Sequence, residues 1–227
     1  MIRLCILDFD GTLCGTHEAI AFCLNRTFDL HRQPRPSTER LEAAIKAGVV
    51  MVEAVVMLTE GRLHDVEAQE WATTYRTLYR EHGLERSILF PGVKEGLERM
   101  KDKGRSLVIA SNKAAESVAT ALEHYEIAQY IDLSVCDPKG IPKKPDPASY
   151  TQIIAPTFPQ VMPAEIVVVG DTHADLGLAR NIGALSCWAG YGYGNQAACL
   201  SMKPDMVIEA FSELVAGLDS LDRGHRL

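Results

Sequence analysis

Four short stretches set side chains able to do polar chemistry close together in this sequence. Asp8-Phe9-Asp10-Gly11-Thr12 sets two carboxylates two residues apart beside a glycine, and Ser111-Asn112-Lys113 offers a hydroxyl and an amide. Lys143-Lys144-Pro145-Asp146-Pro147 offers two ammonium groups next to prolines, and Gly170-Asp171-Thr172-His173-Ala174-Asp175 places two more acids four residues apart. If these stretches meet, three or four carboxylates, a hydroxyl and a lysine share one rim. Clustered carboxylates repel and raise one another's pKa. A hard divalent cation relieves that repulsion, and Mg²⁺ held by one or two carboxylates plus a substrate phosphate suits such a set.

The elements needed to bring them together can be read from the apolar pattern. Short apolar runs at Leu4–Leu7, Leu107–Ala110, Leu133–Cys136, Ile166–Val169, Leu185–Trp188 and Met206–Ile208 are mostly continuous rather than alternating, as in parallel strands covered on both faces. Between them, 93–103, 115–125 and 175–182 carry helical spacing, and Gly104 and Gly183 are placed to stop the first and the last. The alternation predicts an α/β layered domain with a mostly parallel sheet. In such a sheet ligands bind beyond the carboxyl ends of the strands, and three of the four stretches directly follow a strand.

Residues 15–87 interrupt this rhythm. They show no strand and four helical patterns, the first opened by Thr16, the second by Ser37 and Thr38 after the Pro34–Pro36 turn, then 49–58 and 66–82. They read as a helical insertion between the first and second strands. The 156–163 stretch reads as a proline-punctuated loop, and about 222–227 as a loose tail.

Composition narrows the class. The chain has 227 residues, 47% hydrophobic and 23% charged, with a formal net charge of −7. It lacks the basic footprint of a nucleic-acid binder, and the same acidity argues against anionic membrane surfaces. No apolar run approaches the ~20 residues needed to span a bilayer. The apolar start, broken by Arg3 and stopped by Asp8, is too short for a secretory signal. Six cysteines without a CxxC pair then predict free thiols and a cytoplasmic location. His17, His64 and His173 read as surface or loop residues, and Cys5 and Cys187 as core thiols.

These residues resemble the haloacid dehalogenase superfamily along nearly the whole chain. Asp8-Phe9-Asp10-Gly11-Thr12-Leu13 is similar to its first motif, Ser111 to the second, Lys144 with Pro145 and Pro147 to the third, and Gly170-Asp171 with Asp175 to the fourth. Tyr75-Arg76, Phe90-Pro91-Gly92-Val93, Ser111-Asn112-Lys113 and Gly190-Tyr191-Gly192 resemble the phosphoglycolate phosphatase-like branch, whose helical cap is inserted after the first strand. The resemblance implies a Rossmann-like, mostly parallel core over 1–14 and 88–227 with a cap over 15–87.

The resemblance also implies the chemistry. Asp8 would attack phosphorus to form an aspartyl-phosphate, and Asp10 would protonate the leaving alcohol and then deprotonate water. Mg²⁺ would be held by the Asp8 carboxylate, the Asp10 main-chain carbonyl and Asp171, with Asp175 acting through a water or through Lys144. Ser111 and the Asn112 amide would bind phosphoryl oxygens, and Lys144 would neutralise charge on Asp8 and the phosphate. Gly11 and Thr12 would support the corner. The expected partner is a small phosphorylated metabolite, phosphoglycolate-like, handled by a monomer or small homo-oligomer. Asp10 separates the chain from the metal-free dehalogenase branch. A phosphomutase of the β-phosphoglucomutase kind keeps the same residues but adds a cap arginine after a glycine, where this chain has Gly48-Val49-Val50. A non-catalytic phosphate-binding regulatory module is the remaining alternative.

Overall fold

A run of four residues that are all buried, Leu4–Leu7, forms β1, the strand from which the rest of the sheet is built. The computed structural model describes residues 1–224. After β1 come β2 (Cys14–Gly15), α1 (His17–Leu30), α2 (Thr38–Lys46), α3 (Met51–Leu58), α4 (Asp65–His82) and β3 (Ile88–Leu89). The chain continues through α5 (Val93–Asp102), β4 (Ser106–Ser111), α6 (Ala115–His124), β5 (Leu133–Cys136), α7 (Ala155–Thr157), β6 (Ile166–Gly170) and α8 (His173–Ile182). It closes with β7 (Leu185–Ala189), α9 (Gln196–Ser201), β8 (Met206–Ile208) and α10 (Leu214–Gly224).

Six strands form one sheet in the order β5-β4-β1-β6-β7-β8, every neighbour parallel. Leu7 pairs with Ile109 on one side and Val169 on the other, so the carboxyl ends of β1, β4 and β6 lie nearly level. The order steps outward from β1 to β4 and β5, then returns across β1 to β6, which makes β1 the switch point where a crevice opens beyond the strand ends. α5 buries Val93, Leu97 and Met100 at a spacing of four and three, and Gly183 ends α8 in the left-handed conformation at φ 72°.

The chain divides into two compact units, Met1–Cys14 with Leu89–Leu227, and Gly15–Ile88. Where it crosses between them, β2 and β3 pair as a two-stranded ribbon, short strands that the apolar pattern does not reveal. The second unit consists of α1 to α4 around Cys23, Leu24, Phe28, Val55, Leu58, Trp71 and Ala72, with Phe28 edge-on to Trp71 at 4.9 Å. Ser37 caps α2 through Arg40 N, whereas Thr16 stands at the start of α1 with no side-chain cap bond.

Two local expectations change. Pro156 lies in the last turn of a continuous helical stretch over 148–157, whose middle, Tyr150–Ile154, is a π-helix, rather than in a loop. Asp222 belongs to α10 rather than to a loose tail: Leu214, Val215 and Leu218 bury the helix, and Asp222 pairs with the buried Arg105. The last three residues of that expected tail lie outside the described residues.

Candidate active site

The site is assembled where β1, β4 and β6 end. Asp8 follows β1 and is 8% exposed. The chain then turns at Gly11, where φ is 78° and an added Cβ would meet the Asp171 carboxyl carbon at 2.7 Å. Glycine is required there for both conformation and space. The Gly11 amide donates to Cys14 O and the Leu13 amide to Phe9 O, which closes the corner and leaves Asp10 projecting from it.

Asp171 follows β6 and is fully buried. The amide of Tyr193 donates to its Oδ2 at 2.7 Å, the Thr12 hydroxyl lies 3.5 Å from its Oδ1, and the Trp188 indole donates to its main-chain carbonyl at 2.9 Å. Asp175, in the first turn of α8, receives the Thr172 amide and hydroxyl on Oδ2 at 3.0 and 2.7 Å, a reciprocal helix cap.

Lys144 connects these acids. Its ammonium is 2.7 Å from Asp8 Oδ1, 2.6 Å from Asp175 Oδ1 and 2.6 Å from the Ala110 carbonyl. Three donors meet three acceptors, so the buried lysine is fully satisfied. Burial opposes its charge, but Asp175 and Asp8 outweigh that and hold its pKa above the ordinary lysine value. The Lys144 amide donates to Asn112 Oδ1 at 3.2 Å, which ties the lysine loop to the end of β4. Ser111 is buried at that strand end, and its hydroxyl accepts from the Lys113 amide at 3.3 Å.

Burial and mutual repulsion act together on the carboxylates of the site. Burial pushes Asp8 up to about 6 against the pull of Lys144, with repulsion from Asp175 and Asp10 adding to the rise. Burial, then Asp8 and Asp175, push Asp171 well above the usual carboxylate range. Asp8, Asp171 and Asp175 offer carboxylate oxygens within 4.8 Å of one another. With all four acids ionised, Lys144 and Lys113 leave two negative charges unmatched, the charge of one divalent cation. Both Asp175 oxygens are engaged by Lys144 and Thr172, whereas Asp8 meets Lys144 through Oδ1 and Asp171 meets only neutral donors, so Asp8 and Asp171 are the carboxylates that could hold an ion.

All nine residues singled out in the sequence lie at this end of the sheet, but four contributors were not among them. Lys113 sets its ammonium 3.0 and 3.2 Å from the two Asp10 oxygens. Tyr193 and Trp188 hold Asp171, and the Tyr191 hydroxyl donates to Thr12 O at 2.7 Å. His173, within the fourth motif, is exposed at the start of α8.

A family model described as haloacid dehalogenase-like hydrolase matches residues 5–189, from β1 through β7. The chain belongs to that family of hydrolases. Within it, a phosphoglycolate phosphatase of Salmonella typhimurium is 28% identical over 235 residues, covering 96% of this chain and 92% of its own length. A phosphoglycolate phosphatase of Nitrosococcus oceani is 26% identical over 214 residues, covering 93% and 94%. The fold matches that of a haloacid dehalogenase-like hydrolase from Bacteroides fragilis with a TM-score of 0.84 at 20% identity, over 94% of this chain and all of the other. A structure described as a predicted phosphoglycolate phosphatase from Haemophilus somnus gives 0.83 at 24% identity, over 95% and 97%.

Proposed function

We propose that this hydrolase is a Mg²⁺-dependent phosphatase that cleaves a small phosphomonoester, phosphoglycolate-like, through an aspartyl-phosphate on Asp8. The observation that carries the reading is the Lys144 ammonium bridging Asp8 and Asp175 beside buried Asp171. A carboxylate so held can act as a nucleophile, and the names of the relatives agree with phosphate esters as substrates.

In the first half-reaction an Asp8 oxygen bonds to phosphorus as the bond to the ester oxygen breaks, and Asp10 gives that oxygen a proton. In the second, Asp10 takes a proton from water, whose oxygen bonds to phosphorus while the bond to Asp8 breaks. Inorganic phosphate leaves and both carboxylates return to their starting state. Ser111 and the Asn112 amide hold phosphoryl oxygens, and Lys144 offsets the charge gathered on Asp8 and the phosphoryl group. Asp8, Asp171 and the Asp10 main-chain carbonyl are assigned to the ion, which supplies charge neutralisation and polarisation of a phosphoryl oxygen when bound. Gly15–Ile88 is assigned as a cap that governs substrate choice. Among the described residues no helix is long and apolar enough to cross a membrane. The six cysteines are free and buried, which supports a reducing, cytoplasmic setting.

The test is phosphate release from a panel of phosphomonoesters, with Mg²⁺ and with excess chelator. Turnover is expected with the metal only. Asp8→Asn should fold normally and lose roughly 10⁴-fold or more in kcat, as nucleophile removal does elsewhere. Near-normal turnover by folded Asp8→Asn protein, or full activity in chelator, defeats the proposal.

A further inference from the structure

The proposed reaction gives Lys113 no part, yet its side chain is 9% exposed and its ammonium lies against a carboxylate that is itself mostly covered. It is 3.0 Å from Asp10 Oδ1 and 3.2 Å from Oδ2. The two residues are 103 positions apart in the chain, so the fold, and not local sequence, sets this contact. Lys113 also donates its main-chain amide to the Ser111 hydroxyl at 3.3 Å, which anchors the base of its side chain to the end of β4.

The two lysines of the site divide three of its four acids between them. Lys144 takes Asp8 and Asp175, and Lys113 takes Asp10. Asp10 stands on a corner whose backbone bridges Cys14, and its carboxylate meets the Lys113 ammonium. A carboxylate on such a corner has rotamers that point toward solvent. An acid-base group has to remain within hydrogen-bond reach of the oxygen it serves, and a misplacement of about 1 Å can cost on the order of 10²-fold in rate.

We propose that Lys113 is a positioning residue for the acid-base work of Asp10, clamping both carboxylate oxygens so that the side chain stays aimed at the ester oxygen and then at water. This rests on the phosphatase reading above. The clamp spans both oxygens, so when one carries the proton the other still accepts from the ammonium. It can therefore hold Asp10 through both half-reactions. Lys113 itself exchanges no proton and forms no bond to phosphorus.

A lysine acting through Asp10 matters most where the leaving group needs a proton. The experiment compares kcat/KM of wild type, Lys113→Met and Lys113→Arg on an alkyl phosphomonoester and on 4-nitrophenyl phosphate, whose leaving group departs readily without one. Lys113→Met should lose about 100-fold on the alkyl ester, within the ~10²–10⁴-fold range of general acid catalysis, and at least about tenfold less on the aryl ester. Lys113→Arg, which keeps the charge and a forked donor, should recover part of the alkyl activity. On the aryl ester, Asp10→Asn with Lys113→Met should be no slower than Asp10→Asn alone, because the lysine has nothing left to aim.

Equal losses on both esters, or losses that add in the double variant, would show that Lys113 supports the fold or touches the substrate directly, and would overturn the inference while leaving the phosphatase reading intact. Wild-type protein that cleaves neither ester would remove both. A Lys113→Met protein that fails to fold passes the comparison to Lys113→Gln, and if both collapse, Lys113 is a structural residue and the inference fails.

Discussion

The indole of Trp188 donates a hydrogen bond to the main-chain carbonyl of Asp171 at 2.9 Å, both residues buried at the end of the sheet. Asp171 is thus held at its backbone by Trp188 and at its carboxylate by the Tyr193 amide, so the carboxylate has little freedom to turn. Trp188→Phe keeps the ring and removes the donor. Partners one step removed from a metal are typically worth 10–100-fold in affinity. Trp188→Phe should raise the Mg²⁺ dissociation constant, measured by calorimetry, by about tenfold, with a smaller change in kcat at saturating metal. An unchanged dissociation constant would mean that the bond only packs the strand end.

This bond shows what the sequence could and could not tell. Asp8, Ser111 and Asp171 were legible because each stands at or just past the end of a continuous apolar run, with Asp10 and Asp175 a short step further along, and a parallel sheet gathers such ends at one edge. Trp188 was not, since an aromatic residue at a strand end reads as core and a bond to a backbone carbonyl leaves no trace in side-chain types. Lys113 sits in a visible Ser-Asn-Lys run, but a loop lysine usually faces water, and only the pairing of β4 with β1 sets it opposite Asp10. Gly192 is similar. A Cβ there would meet Asp171 Oδ2 and Gly11 O at 2.6 Å each, a close approach that the Gly190-Tyr191-Gly192 stretch marks by resemblance but does not explain. The insertion was legible as helices, whereas the ribbon of β2 and β3 is too short for an alternating signal.

The C-terminal helix is fastened by charge. Arg105 is 4% exposed, with Nη2 at 2.9 Å from Asp222 and 3.1 Å from Asp219, and Asp222 also accepts the Ile2 amide at 2.5 Å. Asp222→Ala leaves a buried guanidinium with one acid and a main-chain amide with none. Full rupture of a buried ion pair costs about 3–5 kcal/mol, and with Asp219 remaining the loss should be about 2 kcal/mol in urea unfolding. A change below about 0.5 kcal/mol, the range of ordinary surface substitutions, would mean that Asp222 does not fasten the end of this helix.

His31 gives the helical unit a pH dependence. Its ring stacks on Trp71 at 4.3 Å and its Nε2 bonds the Thr74 hydroxyl at 3.0 Å. Burial lowers its pKa from 6.5, with Glu70 opposing. The unfolded chain therefore binds this proton more readily than the folded one, and stability rises with pH across the interval between the two values. The contribution is complete above the unfolded value of 6.5 and is lost as pH falls through the lower folded value. Thermal unfolding of wild type should fall more steeply from pH 7.5 to 5 than that of His31→Gln. Parallel profiles would assign the acid sensitivity to other groups.

The last prediction concerns the Gly15–Ile88 unit, which contains none of the residues gathered at the strand ends. An aspartyl-phosphate route gains from excluding bulk water during transfer and admitting one water afterwards, which a closing cap can arrange. The chain enters and leaves this unit side by side. Phe90 N donates to Leu13 O at 3.0 Å, just inside the points where β2 and β3 cross over. Replacing 16–87 with a short linker should therefore leave neighbouring ends joined and the sheet core intact. The core keeps Lys144 on Asp8 and Asp175, and Lys113 on Asp10, because all of these lie in the other unit. It should bind Mg²⁺ by calorimetry and cleave 4-nitrophenyl phosphate, whose leaving group needs little help. Its kcat/KM values across alkyl phosphomonoesters should converge to within a few-fold if the helical unit is the selector proposed above. A core that folds and binds metal yet keeps the wild-type order of preference would place specificity in the loops after β4 and β7, and the helical unit would not be the selector.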